Sequence, residues 1–119
     1  MATKKIKVST TSENYKLFME YEPRTRTASM KIRRRKDNDV IKSLSISLHS
    51  LSGIIKLVDE NDEDQTICVL SGLYILKNKL FDDNLETPEI FNTGAFTAYR
   101  DKVMTKIRKE MIGGNIWED

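Results

Sequence analysis

From Tyr15 to Lys36 apolar and polar residues alternate with period two, and this pattern limits what the chain can fold into more than any other feature. Tyr15, Leu17, Met19 and Tyr21 fall on one side of an extended segment, and Lys16, Phe18 and Glu20 on the other. That is the period of a half-buried strand. Pro23 ends the run, and Arg24 to Thr27 reads as a turn. Next, Ala28, Met30 and Ile32 oppose Ser29, Lys31, Arg33 and Arg35. Asp37, Asn38 and Asp39 supply turn chemistry through side chains that bond the local backbone. The following run sets Leu44, Ile46 and Leu48 inward and Ser43, Ser45 and Ser47 outward, and Ile6 and Val8 suggest a shorter first strand. Four strands joined by short turns make an antiparallel meander with one apolar face.

Beyond Leu48 the period changes. Leu48, Leu51, Ile55 and Val58 follow helical spacing, with Ser50 or Ser52 available as N-cap. Gly53 weakens a helix there by about 1 kcal/mol, and a fifth strand over Ile54 to Val58 is the alternative. Asp59 to Asp64 reads as a loop whose acids are able to cover a basic surface. The segment Ile67 to Leu76 is the most apolar. Val69, Leu73, Leu76 and Leu80 fit a helix, while the β-branched start and Gly72 also suit a hairpin, so both readings stand. Phe81 to Glu86 is polar and reads as loop. Thr87 caps a turn starting at Pro88. Phe96, Tyr99, Val103 and Ile107 form the stripe of a C-terminal amphipathic helix, and Gly113-Gly114 stops it. The expected fold is α+β: a four- to five-stranded antiparallel sheet packed against two or three helices in one domain over residues 1–114. A short acidic tail follows over residues 115–119.

Composition removes several kinds of chemistry. The single cysteine, Cys68, excludes a disulfide framework and a Cys-based zinc site. Its apolar neighbours Ile67, Val69 and Leu70 favour a buried thiol over a nucleophile. The sole histidine, His49, has no partner at metal-ligand spacing. The acidic run resembles a calcium loop at Asp59, Asn61 and Glu63, but Asp64 stands where the loop needs glycine and Leu70 where it needs glutamate. Glycines are isolated apart from the terminal pair, so no phosphate loop is present. The longest apolar run is too short to span a bilayer, and no charged-then-apolar leader opens the sequence. The expectation is a non-enzymatic, intracellular protein without metal or cofactor and without a membrane partner.

Charge points to a partner. Of the 20 Lys/Arg and 18 Asp/Glu, residues 1–58 hold 13 bases and 5 acids, and residues 59–119 hold 7 bases and 13 acids. Such asymmetry suits a polyanion at the basic half. Alternation sets Lys31, Arg33 and Arg35 on one face about 7 Å apart, a spacing near that of phosphates in an extended strand. Guanidinium groups bond phosphates in bidentate fashion and stack on bases. Lys16 and Phe18 share that face on the neighbouring strand, and charge interleaved with a ring is how sheets hold single-stranded nucleic acid. The candidate site is Lys16, Phe18, Lys31, Arg33, Arg34, Arg35, Lys36 and Lys42, extended by the serine ladder; Arg34 points to the apolar side at a strand end. An outward basic row also protects a sheet edge from aggregation, so a charged face without a ligand is the competing reading.

Strands with alternate basic residues followed by Ser45-Ile46-Ser47-Leu48 and a helix resemble the single-stranded DNA-binding modules of positive-cofactor-type coactivators, and the Whirly and Pur-type domains of the same plan. The resemblance covers roughly Tyr15 to Val58 and implies a curved antiparallel sheet, commonly in a homodimer, holding single-stranded DNA or RNA. It implies that Lys31, Arg33 and Arg35 lie on the binding face. The rival expectation is a small protein-interaction module, adaptor or inhibitor, docking through the tail residues Ile116 and Trp117.

Overall fold

The structure, a computed structural model, describes residues 5–60 and 62–111, without the side chains of the last two. It is an α+β fold. Strands β1 (Ile6–Thr11), β2 (Tyr15–Glu22), β3 (Thr27–Arg34) and β4 (Val40–Ser47) form one antiparallel sheet in chain order. Helices α1 (Ser52–Glu60), α2 (Glu63–Asp82), the four-residue α3 (Glu89–Asn92) and α4 (Ala95–Met111) follow.

The alternation read from the sequence is the alternation of burial. Val8, Leu17, Met19, Tyr21, Ala28, Met30 and Ile32 are all at most 4% exposed, and they meet the helices in one core with Leu73, Leu76, Leu80 and Phe96. Leu44, Ile46 and Val103 pack against that core while remaining partly exposed.

The segment of helical spacing beyond Leu48, for which a fifth strand was the alternative, is α1, with Ile54 and Leu57 buried. The helix-or-hairpin alternative for Ile67 to Leu76 resolves as the 20-residue α2. Gly72 lets α2 lie close on the sheet, since a Cβ there would stand 2.7 Å from Leu17 Cδ2.

The acidic run is not the loop expected from its composition. α1 continues to Glu60 and α2 starts at Glu63. Asp62 is the N-cap, accepting from the Gln65 N–H at 2.7 Å, and Glu63 and Asp64 occupy the first turn. Carboxylates at a helix N-terminus satisfy orphan amides and complement the macrodipole. Asp62 also accepts from the Tyr15 hydroxyl at 3.0 Å, and Asp64 from the Asn14 N–H at 2.7 Å. These two acids therefore hold the β1–β2 turn instead of covering the basic face. Helix α2 likewise runs through Phe81 and Asp82 into the expected loop, and Asn84, at φ 58°, closes it.

Thr87 and Asn92 share a side-chain hydrogen bond across α3, and Gly94, at φ 79°, separates α3 from α4. The Gly113-Gly114 stop and the Ile116-Trp117 tail lie outside the described residues. No helix among the described residues is long and apolar enough to cross a membrane.

Candidate nucleic-acid interface

Among the described residues, the helices cover one face of the sheet and leave the other open. Register builds that open face in rows. Ser9, Phe18, Lys31 and Ser43 stand in line across the four strands. The next row toward the β1–β2 turn is Thr11, Lys16, Arg33 and Val40, and the next in the opposite direction is Lys7, Glu20, Ser29 and Ser45. Rows lie about 7 Å apart and strands about 4.8 Å apart. Phe18 is 48% exposed, large for an aromatic ring flanked by its own sheet. Lys16 and Lys31 are exposed and enter no ion pair among the described residues. Arg33 is half-buried, its guanidinium donating to the Asn38 carbonyl at 3.0 Å.

Lys16, Phe18, Lys31 and Arg33 are thus one cluster, made by two adjacent strands. The other candidate residues are placed differently. β3 ends at Arg34, so Arg35 does not continue the row Lys31–Arg33. It sits in the turn, donating to the carbonyls of Ser12 at 2.9 Å and Glu13 at 3.2 Å. The reason is local: Asp37 and Asn38 (φ 63°) fold the chain back immediately, which stops the alternation on which the row depended. Arg34 pairs with Asp37 at 2.8 Å. The Asp39 backbone N–H and then this arginine hold the Asp37 carboxyl below the usual aspartate range. Lys36 is exposed in the same turn and borders, with Glu13, Asn14, Tyr15, Arg34 and Arg35, a shallow groove at the β1–β2 turn end of the sheet.

Lys42 also departs from its expected position. Ile32 opposes Lys42 in the regular β3–β4 register, and the shift comes only beyond that pair, where a bulge sets Arg33 opposite Val40. Ile32 is fully buried. Lys42 therefore starts on the helix side of the sheet, alternating with the outward Ser43. The serine ladder itself is on the open face, with Ser29 and Ser45 hydroxyls 3.0 Å apart.

Two contributors were not picked out from the sequence. Ser9 extends the central row, and period two carried on from Val8 would have given it. Glu20 was legible as outward, but its position opposite Ser29 and Lys7 needed the register.

Cys68 is fully buried with its sulfur 3.6 Å from the Tyr15 carbonyl. His49 is exposed in the turn after β4. No cluster of His, Cys, Asp and Glu suited to a metal occurs among the described residues.

No family model, no curated protein and no solved structure matches the chain.

Proposed function

We propose that this protein binds single-stranded nucleic acid on the open face of its sheet, without catalysis. The observation that carries the reading is the grouping of Lys16, Lys31 and Arg33 around the exposed Phe18 ring, on a face that the described helices leave uncovered. Cations supply affinity by releasing counterions from phosphates, and the ring supplies a stacking platform that accepts any base. Small serines at Ser9, Ser29, Ser43 and Ser45 keep the surface low enough for a strand to approach. A duplex offers no unstacked base to Phe18, hence the preference for single strands.

The test is the affinity of a fluorescent oligonucleotide at two salt concentrations, for the native chain and for a Lys16→Ala/Lys31→Ala/Arg33→Ala variant. If each cation neutralises one phosphate, the slope of log K against log salt is about −2, from roughly −0.7 per phosphate on single strands. The variant loses that slope. No binding at low salt rejects the reading.

A second reading, a protein partner, is favoured by one other surface. Tyr74, Ile75 and Phe81 on α2 are exposed, with Lys77 near the rings of Tyr74 and Phe81, and Arg100 over Tyr74 at 4.5 Å. Aromatic and arginine groups of this kind are common at protein interfaces. Partner binding there survives loss of the three sheet cations.

A further inference from the structure

Phe18 has a cation on one side and an acid on the other. Along β2 the outward side chains run Lys16, Phe18, Glu20, each about 7 Å from the next. β3 repeats the polarity in register: Arg33 opposes Lys16, Lys31 opposes Phe18, and Ser29 opposes Glu20. Beside the ring, Phe18, Glu20, Ser29, Lys31, Ser43 and Ser45 line a depression of about 340 Å³. This is at the small end of ligand sites, which run from roughly 300 to 1,000 Å³, and it suits one base.

A nucleotide has the same polarity, an anionic phosphate at one end and a hydrogen-bonding base edge at the other. A base stacked on Phe18 with its phosphate toward Lys16 and Arg33 directs its Watson–Crick edge to Glu20. An ionised carboxylate only accepts hydrogen bonds. Guanine alone offers two parallel donors on that edge, N1–H and the N2 amine. Adenine and cytosine offer one amine beside an acceptor nitrogen, and thymine or uracil one N–H between two carbonyl oxygens that repel a carboxylate. Resting on the single-strand reading above, we infer that Glu20 makes this site select guanine at the one position stacked on Phe18.

The contact Glu20 makes in the free protein does not block this role. Its partner is Lys5 at 3.9 Å, with both side chains at least half exposed, and exposed ion pairs of that length exchange readily. The Ser29–Ser45 hydroxyl pair is left to frame the base rather than to compete for the carboxylate. The inference adds a base preference to affinity that otherwise comes from charge and stacking.

The experiment compares full-length protein binding to thymine oligonucleotides that carry one central guanine, hypoxanthine or adenine. Hypoxanthine lacks only the N2 amine, so it removes one of the two donors and leaves the stacking surface. Guanine is expected to bind about fivefold tighter than hypoxanthine, the lower end of what a bidentate base contact provides. Glu20→Gln should bring that ratio to one while tightening binding to the hypoxanthine and adenine oligonucleotides, because a negative charge leaves a face that holds phosphates. Equal binding of guanine and hypoxanthine by the native chain overturns the inference while leaving the single-strand reading intact. So does a ratio that Glu20→Gln preserves, which would reduce Glu20 to a general electrostatic role. Failure of every oligonucleotide to bind at low salt removes the broader reading as well. Guanosine 5′-monophosphate as competitor separates a strand from a free nucleotide: far weaker competition than the oligonucleotide is expected, and equal competition overturns the assignment to a strand.

Discussion

Lys16 stands directly opposite Arg33 across the β2–β3 pair, and neither forms an ion pair with a carboxylate among the described residues. Like charges in register on neighbouring strands oppose folding by about 0.2–1 kcal/mol, less at high salt. A ligand bearing negative charge offsets that cost. Lys16→Glu is therefore expected to raise the thermal unfolding temperature of the free protein by a few degrees at low salt. The same change is expected to weaken oligonucleotide binding at least tenfold. A variant less stable than the native chain would count against the repulsion.

Phe18 and Lys31 face each other in the next row and are expected to fail in different ways. Phe18→Ala should cost about 1–3 kcal/mol of binding, the range for one stacked base, and leave the salt slope unchanged. Lys31→Ala should flatten the slope by about 0.7. Neither side chain belongs to the core, so urea denaturation should move by less than about 0.5 kcal/mol for each. A change in slope for Phe18→Ala would assign the ring a different role.

Gly72 sets how closely α2 approaches the sheet. A Cβ there meets Leu17 Cδ2 at 2.7 Å and Met19 Cε at 3.3 Å, and both side chains are buried. Gly72→Ala gains about 1 kcal/mol of helix propensity against an overpacking cost of about 1–3 kcal/mol, leaving a net loss of up to about 2 kcal/mol. Gly72→Val has no such compensation and should cost more than about 3 kcal/mol. Equilibrium denaturation measures both, and a valine variant of native stability would mean the helix can lift from the sheet without loss.

Tyr21 is fully buried, and its hydroxyl has no hydrogen-bond partner within the described residues. Burial pushes its pKa up, against a smaller opposing effect of Arg26, with Glu86 adding to the rise. A raised folded pKa means the contribution is fully present below the ordinary tyrosine value of 10.0 and is lost as pH climbs toward the folded value. Tyr21→Phe should be neutral or stabilising by up to about 1 kcal/mol at pH 7, because an unpartnered buried hydroxyl carries a desolvation cost. It should also lessen the loss of stability above about pH 10. Urea titrations at the two pH values test this, and a clear destabilisation at pH 7 would mean the hydroxyl is well bonded.

The sheet was legible because strand residues report their own side. Leu17, Met19, Met30 and Ile32 went inward and Lys16, Phe18, Lys31 and Arg33 outward, as their spacing indicates. Arg35 and Lys42 were misplaced for different reasons. Alternation holds only within an uninterrupted ladder, and the turn at Asp37–Asn38 removes Arg35 from it. Lys42 was grouped with Ser43, although period two sets it with Leu44 and Ile46 on the helix side. The acidic run misled because composition alone does not distinguish a solvated loop from a cap and first helical turn.

The amino-acid order by itself determined the four-stranded meander, its apolar side and the outward direction of the cations on β2 and β3, since a period of two is a property of each strand alone. Only the tertiary structure decided that α2 is a helix lying on the sheet through Gly72, and that Phe18 is ringed by Lys16, Lys31 and Arg33 with Glu20 beyond it. Those arrangements come from cross-strand register and close packing, which join residues far apart in the chain and leave no local period to read.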